Sequence, residues 1–258
     1  MGKLIKVVGF TVLGLLFLVG TSFAGYLDGY TNITINDGYG ERGFTSDGSV
    51  GPTGQGLEDQ EVEPGAATGQ VWDMEGFFQS GSLLALVGGW NFLGNIDGIT
   101  SGDIFFEMNG DDVFDYVLDM DWGSLNSGKI DYTVRSGSFT TALTYGGPDE
   151  VKDLPWRWES TGSEGSTKQA LYLADYDNDG MGGGVTGGLH NAVVVDLAFL
   201  GEGTDFTSYF TMRCGNDIVN GSGTAPVPEP ATMFLLGTGL LGLAGVGRKK
   251  LMGKKLKK

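Results

Sequence analysis

The sequence predicts an all-β body, an antiparallel β-sandwich with a jelly-roll-like arrangement, between two apolar termini. About ten short runs rich in β-branched and aromatic residues lie between Gly25 and Ala225, separated by Gly, Asn, Asp and Ser. The run KIDYTVR alternates strictly, so that Ile130, Tyr132 and Val134 share one face. The runs follow one another without a long amphipathic helical pattern between them. About 200 residues patterned in this way are typical of a two-sheet sandwich.

The amino-terminal end, 1–24, has the pattern of a secretory signal peptide. Lys3 and Lys6 precede an apolar run of 13 residues, and small residues follow it. Ser22 and Ala24 occupy the two small-residue positions of a signal-peptidase site, which predicts cleavage after Ala24. An uncleaved membrane anchor is the alternative, but the run is short for a membrane span.

Residues 25–69 differ in composition from the chain that follows. From 36 to 69 the sequence is rich in glycine and acidic residues and nearly free of aliphatic side chains, which predicts a long surface loop. We therefore expect a separate amino-terminal segment over 25–69 and a β-sandwich domain over 70–222. Residues 215–230 are expected to form an exposed linker.

Within the body, the predicted strands follow one another at short intervals, because turn-forming residues interrupt each apolar or alternating run. In chain order they cover 30–35, 70–78, 82–92, 102–108, 113–122, 129–135, 138–145, 169–177, 191–200 and 206–214.

The carboxyl-terminal end, 223–258, combines a linker, a turn, an apolar stretch and a basic tail. Pro228 and Pro230 prevent a helix from continuing out of the preceding loop. Residues 231–247 carry no charge, and a helix of that length spans about 26 Å, the lower limit for crossing a hydrocarbon core. The seven cations within 248–258 are typical of a stop-transfer signal, which predicts a cytoplasmic tail and a body outside.

This arrangement resembles the PEP-CTERM sorting signal of Gram-negative bacteria. The resemblance implies processing by an exosortase, a membrane peptidase that removes the tail at or near the motif, so that the mature protein keeps no transmembrane helix. A permanent single-span anchor is the alternative. The matching residues are Val227, Pro228, Glu229, Pro230, Ala231 and Thr232 of the motif, the Gly- and Leu-rich span, and Arg248, Lys249 and Lys250.

A second resemblance lies in the body. The stretches GDIFFEMNGDDVFDYVLDMDW, LPWRWES and YFTMRCGND look like a domain common among exosortase-sorted extracellular proteins, which implies a secreted β-rich surface protein. The residues of the last stretch that carry the likeness are Phe210, Thr211, Cys214, Gly215, Asn216 and Asp217.

The acidic loop DYDNDG is the candidate metal site. Asp175, Asp177 and Asp179 alternate, and Gly180 permits a tight turn, so that three oxygen ligands suited to Ca²⁺ can converge. The loop is not an EF-hand, because Thr186 stands where the bidentate glutamate belongs. An ordinary acidic turn between strands is the alternative.

Two further constellations suggest binding or chemistry. Trp156 and Trp158 flank an arginine and are candidates for an aromatic platform that stacks on sugars, with a hydrophobic core role as the alternative. Asp115, Asp119 and Asp121 share a strand face, and paired carboxylates are the machinery of glycoside hydrolases.

We expect the single histidine and the single cysteine to have structural roles and not catalytic or metal-binding ones. We expect His190 to be a partly exposed loop residue, because one histidine near a Gly-rich turn is weak evidence for a metal site or a triad. We expect Cys214 to be a thiol packed at a strand end.

Charge narrows the class of partner. Between residues 25 and 226 the chain carries seven basic and 31 acidic side chains, a formal charge of −24. Such a surface repels nucleic acid, so no nucleic-acid partner is expected. The negative surface should instead attract divalent cations, which can bridge the protein to an anionic polymer.

The sequence therefore predicts a non-enzymatic exported surface or extracellular-matrix protein, associated with extracellular polysaccharide or biofilm. Signal peptidase and exosortase are the expected processing partners. The protein is expected to be anchored transiently in the inner membrane and then to reach the outer envelope, the cell surface or the medium. A calcium-assisted carbohydrate-binding module and a polysaccharide hydrolase are the alternatives.

Overall fold

The computed structural model describes residues 25–35, 69–111, 113–138, 140–144, 154–160 and 163–227. The signal peptide with its cleavage site at Ala24, nearly all of the Gly-rich stretch 36–69, the span 231–247 and the basic tail 248–258 lie outside these residues. In the described part of the chain, no helix is long and apolar enough to cross a membrane.

Strands dominate the described residues, with one short α-helix and one 3-10 turn at Gln70–Trp72. The elements are β1 (Thr31–Asn32), β2 (Thr34–Ile35), β3 (Met74–Ser80), β4 (Leu83–Gly88), β5 (Ile104–Glu107), β6 (Tyr116–Asn126), β7 (Lys129–Ser136), β8 (Thr140–Leu143), β9 (Pro155–Ser160), β10 (Ser163–Tyr176), α1 (Asn178–Met181), β11 (His190–Asp196), β12 (Asp205–Thr211) and β13 (Ile218–Thr224).

Eleven of these strands form one sheet, in the order β1-β3-β4-β11-β10-β7-β6-β5-β12-β13-β2. Every pairing in it is antiparallel. Strands β8 and β9 form a separate antiparallel hairpin. The predicted all-β, antiparallel class is confirmed.

A short segment, 31–35, joins the two ends of this sheet. Its β1 half pairs with β3 and its β2 half pairs with β13. Between the halves, the backbone N–H of Ile33 donates to the Phe77 carbonyl at 2.9 Å, and the N–H of Ser222 donates to the Ile33 carbonyl at 2.8 Å. The sheet therefore closes almost completely into a barrel.

The predicted jelly-roll-like sandwich differs from this architecture. One sheet curls around one core, instead of two sheets packing face to face. Alternation in a strand reports which side chains point inward, but a sandwich and a barrel impose the same alternation. Which strands become neighbours depends on pairings between distant segments, which no single run encodes.

The core inside the barrel is strongly aromatic. Ile130, Tyr132 and Val134 all point into it, as the alternation of that run predicts. Trp90 is fully buried, and its indole N–H donates to Ser101 Oγ at 2.8 Å, so that its one polar atom is satisfied. The other buried rings of this core are Phe77, Phe92, Phe106, Tyr172, Phe206 and Phe210.

Two apolar patches on the outside of the barrel are also covered. The β8–β9 hairpin flanks the first, which comprises Phe105, Val117 and Tyr209. The second lies on β3, β4 and β11, and the loop that contains α1 packs over it together with Leu27. Residues 25–35 are therefore part of the folded body and not of the Gly-rich segment with which the composition groups them.

We expect Leu27→Ala to lower the free energy of unfolding by about 2–5 kcal/mol, because it empties a fully buried site. Leu27 is 1% exposed, whereas Leu125 is 47% exposed. The matched control Leu125→Ala is expected to change stability by less than about 0.5 kcal/mol. Urea unfolding followed by tryptophan fluorescence measures both, and equal effects would contradict this role for Leu27.

The prediction of a linker over 215–230 is wrong for its first half. Gly215, Asn216 and Asp217 are buried, and the chain then forms β13 between β12 and β2. The sequence IVNGSGT reads as a linker because it is rich in small and polar residues. Its glycines serve close packing: a Cβ on Gly221 would lie 2.8 Å from the Cβ of Phe77.

Candidate functional site

The candidate functional site is the point where the chain leaves the barrel toward its carboxyl terminus. Ala225, directly after β13, is 2% exposed. Its N–H donates to the Thr204 carbonyl at 2.7 Å, and its carbonyl accepts from the Gly203 N–H at 3.0 Å. Two residues later, Val227 is 64% exposed. The predicted motif therefore starts two residues after Ala225, the last residue of the described chain for which backbone hydrogen bonds to the barrel are seen.

A groove of about 560 Å³ lies beside this exit. Pro226 and Ala225 form one side of it, and Leu197 and Ala198 contribute apolar surface. Glu202 is the carboxylate among its lining residues. The lining of this groove is mostly apolar.

The turn between β12 and β13 fastens this last strand to the start of β3. Asp217 Oδ2 accepts a hydrogen bond from the backbone N–H of Met74 at 2.6 Å, across 143 residues of sequence. Thr211 Oγ1 donates to the Asp217 carbonyl at 2.8 Å. Cys214 is 3% exposed, which confirms the predicted packed thiol at the end of a strand. The CGND stretch thus holds the final hairpin in place.

The three aspartates of the DYDNDG loop do not form a common centre. Asp177 caps α1, because its Oδ1 accepts from the backbone N–H of Gly180 at 2.7 Å. Asp175 adopts a left-handed backbone with φ of 58°, and Asp179 lies in the first turn of α1. Within the described residues, no group of three or more His, Cys, Asp or Glu is arranged to hold a metal ion.

The two tryptophans proposed for sugar stacking are half-buried, and arginines cover their rings. The guanidinium of Arg135 lies 4.2 Å from the ring centre of Trp158, which also packs against the outer patch on β5, β6 and β12. Arg157 and Arg213 lie 5.7 Å and 5.3 Å from the ring of Trp156. A sugar would have to displace these cations to stack there.

The acidic strand face is engaged in structural contacts. Asp119 pairs with Arg135 at 3.0 Å. Asp115 Oδ2 accepts from the backbone N–H of Met108 at 2.9 Å, and Asp121 Oδ1 accepts from the N–H of Gly123 at 3.2 Å. Each of the three carboxylates therefore stabilises local structure, and nothing in their contacts favours glycoside chemistry.

Asp103, which the sequence analysis missed, attaches the β8–β9 hairpin to the barrel. Its carboxylate is buried and accepts from the backbone N–H groups of Met120 at 3.0 Å and Trp158 at 2.8 Å. Burial raises the pKa of Asp103 to about 7, although these hydrogen bonds and the Arg157 guanidinium, 3.8 Å away, lower it. A buried acid in a loop between strands gives no signal in sequence.

His190 is fully buried, so the prediction of a partly exposed loop residue is wrong. It begins β11, and its Nε2 lies 2.8 Å from Glu75 Oε1, which is also fully buried, and 2.9 Å from the Thr186 carbonyl. Gln70 Nε2 donates to the same Glu75 oxygen at 3.1 Å. Burial lowers the pKa of His190, but the hydrogen bond and charge of Glu75 outweigh it and raise the pKa. The apolar run that follows His190 was the one sequence signal for a buried strand.

The fold defines the class: an antiparallel, nearly closed β-barrel, in which β13 is the final strand of the described chain and ends one residue before Ala225. Residues 226–249 match the family model of the PEP-CTERM protein-sorting motif. The chain carries this sorting motif, as expected for an exosortase substrate. No significant match was found among curated proteins or among solved structures.

Proposed function

We propose that this is an exported, non-enzymatic surface or matrix protein whose barrel is released when an exosortase cuts at the motif beside Ala225. The match over 226–249, which begins one residue after a buried and hydrogen-bonded Ala225, is the observation that supports it. Because no flexible linker separates the barrel from the motif, the folded body sits close to the membrane until the cut is made. The cut then leaves a compact barrel with a very short carboxyl-terminal extension.

Mass spectrometry of the protein recovered from the medium and envelope of the producing cell tests this proposal. We expect a mature species that begins at Gly25 and ends within the motif. The variant Pro228→Ala/Glu229→Ala is expected to retain its tail and to stay in the inner membrane. Glu202→Ala, in the adjacent groove, is the control and should be processed normally. Released protein that still carries Lys258 would overturn the proposal.

Association with extracellular polysaccharide belongs to the same proposal and rests on charge. The formal charge of −24 between residues 25 and 226 attracts divalent cations, which can bridge the body to an anionic polymer. Neither the arginine-covered tryptophans nor the strand-face carboxylates favour the carbohydrate-binding or hydrolase alternatives. Sedimentation of the mature protein with the producer's own polymer, with and without EDTA, tests this bridging. Retention that EDTA does not change would contradict it.

The acidic loop provides a separate test of calcium binding. We expect Asp177→Ala to lower stability by about 1 kcal/mol, because it removes a helix cap. Since Asp177 acts as a cap, this loss should be the same with and without millimolar Ca²⁺. Thermal unfolding of both proteins measures it, with Glu202→Ala, an exposed acid outside this loop, as the control. A melting temperature that rises with Ca²⁺ in the parent protein alone would instead indicate a bound ion.

A further inference from the structure

The first described residues of the chain dock against the loop that contains α1. The backbone N–H of Tyr26 donates to the Gly180 carbonyl at 2.9 Å, and the N–H of Leu27 donates to the Met181 carbonyl at 2.8 Å. Gly25, one residue earlier, is buried. Gly25, the residue that follows the predicted signal-peptidase site, is thus packed into the body.

Only glycine fits at this first position. A Cβ on Gly25 would lie 2.4 Å from the Cα and 2.5 Å from the nitrogen of Gly182, and 2.9 Å from the Asp179 carbonyl oxygen. These are backbone atoms, so the contact cannot be relieved by a side-chain rotation. Packing against Gly182 and Asp179 therefore requires glycine at the residue after the cleavage site.

The nitrogen of Gly25 faces a carboxylate. It lies 2.9 Å from Asp28 Oδ2, and the backbone N–H of Asp28 donates in return to the Gly25 carbonyl at 3.0 Å. Asp179 lines the same surface recess, and no lysine or arginine is among the described residues that line it. A positive charge on the Gly25 nitrogen would therefore face the Asp28 carboxylate, and a second acidic residue lines the same recess.

We propose that removal of the signal peptide creates an α-ammonium group on Gly25 that forms an ion pair with Asp28. Hydrolysis of the Ala24–Gly25 bond adds water, leaving a carboxylate on Ala24 and an ammonium on Gly25. The neutral amide hydrogen bond to Asp28 then becomes a charge-assisted one, which is shorter and stronger. This inference rests on the proposed export and cleavage after Ala24. The cut amino terminus is then a structural part of the mature barrel.

The test uses exported protein purified after processing, with its first residue established by mass spectrometry. One serine inserted between Ala24 and Gly25 provides the comparison. Phe23 then stands at the small-residue position for a cut after the serine, so cleavage should stay after Ala24 and yield a mature chain that begins Ser-Gly. In that chain the Gly25 nitrogen is an amide, and the ammonium is displaced by one residue.

At pH 6.5, where a terminal amine is protonated, we expect Asp28→Asn to lower the melting temperature of the Gly25-terminated protein by about 3 °C. The same change in the serine-extended protein should cost less than about 1 °C, and salt at about 1 M should shrink the difference. In the parent protein, an amine-directed reagent should modify the terminus several-fold more slowly than in the extended one.

Equal losses in the two backgrounds, together with equal modification rates, would overturn the ion pair while leaving export and processing intact. If Asp28→Asn does not fold, the modification rates of the parent and serine-extended proteins decide the question. A mature terminus other than Gly25 would overturn the inference and the proposed cleavage site together.

Discussion

Glu75→Leu and His190→Leu are each expected to lower the free energy of unfolding by about 3–5 kcal/mol, because either change leaves the other member of a buried ion pair without its partner. Both side chains are fully buried, and their atoms lie 2.8 Å apart. The double variant should lose less stability than the sum of the two single losses, because replacing both side chains leaves no buried charge without a partner.

Urea unfolding of the four proteins in this cycle measures the coupling, with Glu202→Ala as a control for loss of an exposed acid. Purely additive losses would show that the two residues act independently.

The Glu75–His190 pair also predicts that stability depends on pH. Because the pKa of His190 is raised on folding, its contribution is fully present below pH about 6.5 and is lost as the pH rises through the folded value.

Asp103→Asn is expected to lower the free energy of unfolding by about 2–4 kcal/mol at pH 5, because the amide nitrogen cannot accept from a backbone N–H. At pH 5 the folded Asp103 carboxyl is protonated, and each of its oxygens can still accept one N–H, from Met120 and from Trp158, so the variant would leave one of these groups buried and unpaired. Detachment of the β8–β9 hairpin should accompany the loss. Limited proteolysis of β8 and β9 is expected to accelerate in the variant, and Glu159→Gln, on the exposed face of β9, is the control.

The same residue predicts a second pH window. Folding raises the pKa of Asp103 from 3.8 to about 7, so between these values the folded protein binds more protons than the unfolded chain. Its contribution to stability therefore falls as the pH rises from about 4 to about 7, by at most about 1.4 kcal/mol per pH unit, and is constant above. Asp103→Asn should abolish this slope. An unchanged slope in the variant would assign it to another group.

Short-range sequence patterns determined the strands and the sorting motif of this protein. The alternation around Ile130, the β-branched runs and the turn residues between them predict antiparallel strands, because side-chain period and turn chemistry act over a few residues. The sorting motif after Pro226 is likewise a local signal, read from the order of turn, apolar stretch and cations. These features can be read one segment at a time.

The sequence misled wherever a segment's role depends on a distant partner. The IVNGSGT stretch is a strand because it pairs with β12 and β2, and glycine at position 221 fits the close approach of Phe77 and Ser208. His190 became buried because Glu75, 115 residues earlier in the chain, supplies its counter-charge. Composition alone assigns both places to surface loops.

Local sequence by itself therefore determined the β class, the apolar ends and the sorting signal, since each depends on spacing within a short stretch. Only the tertiary structure decided that the sheet nearly closes through residues 31–35, that Asp103, Glu75 and His190 are buried, and that Ala225 is buried and hydrogen-bonded beside the motif. Those outcomes depend on hydrogen bonds and desolvation between residues far apart in the chain, whose free energies appear only when the strands have met.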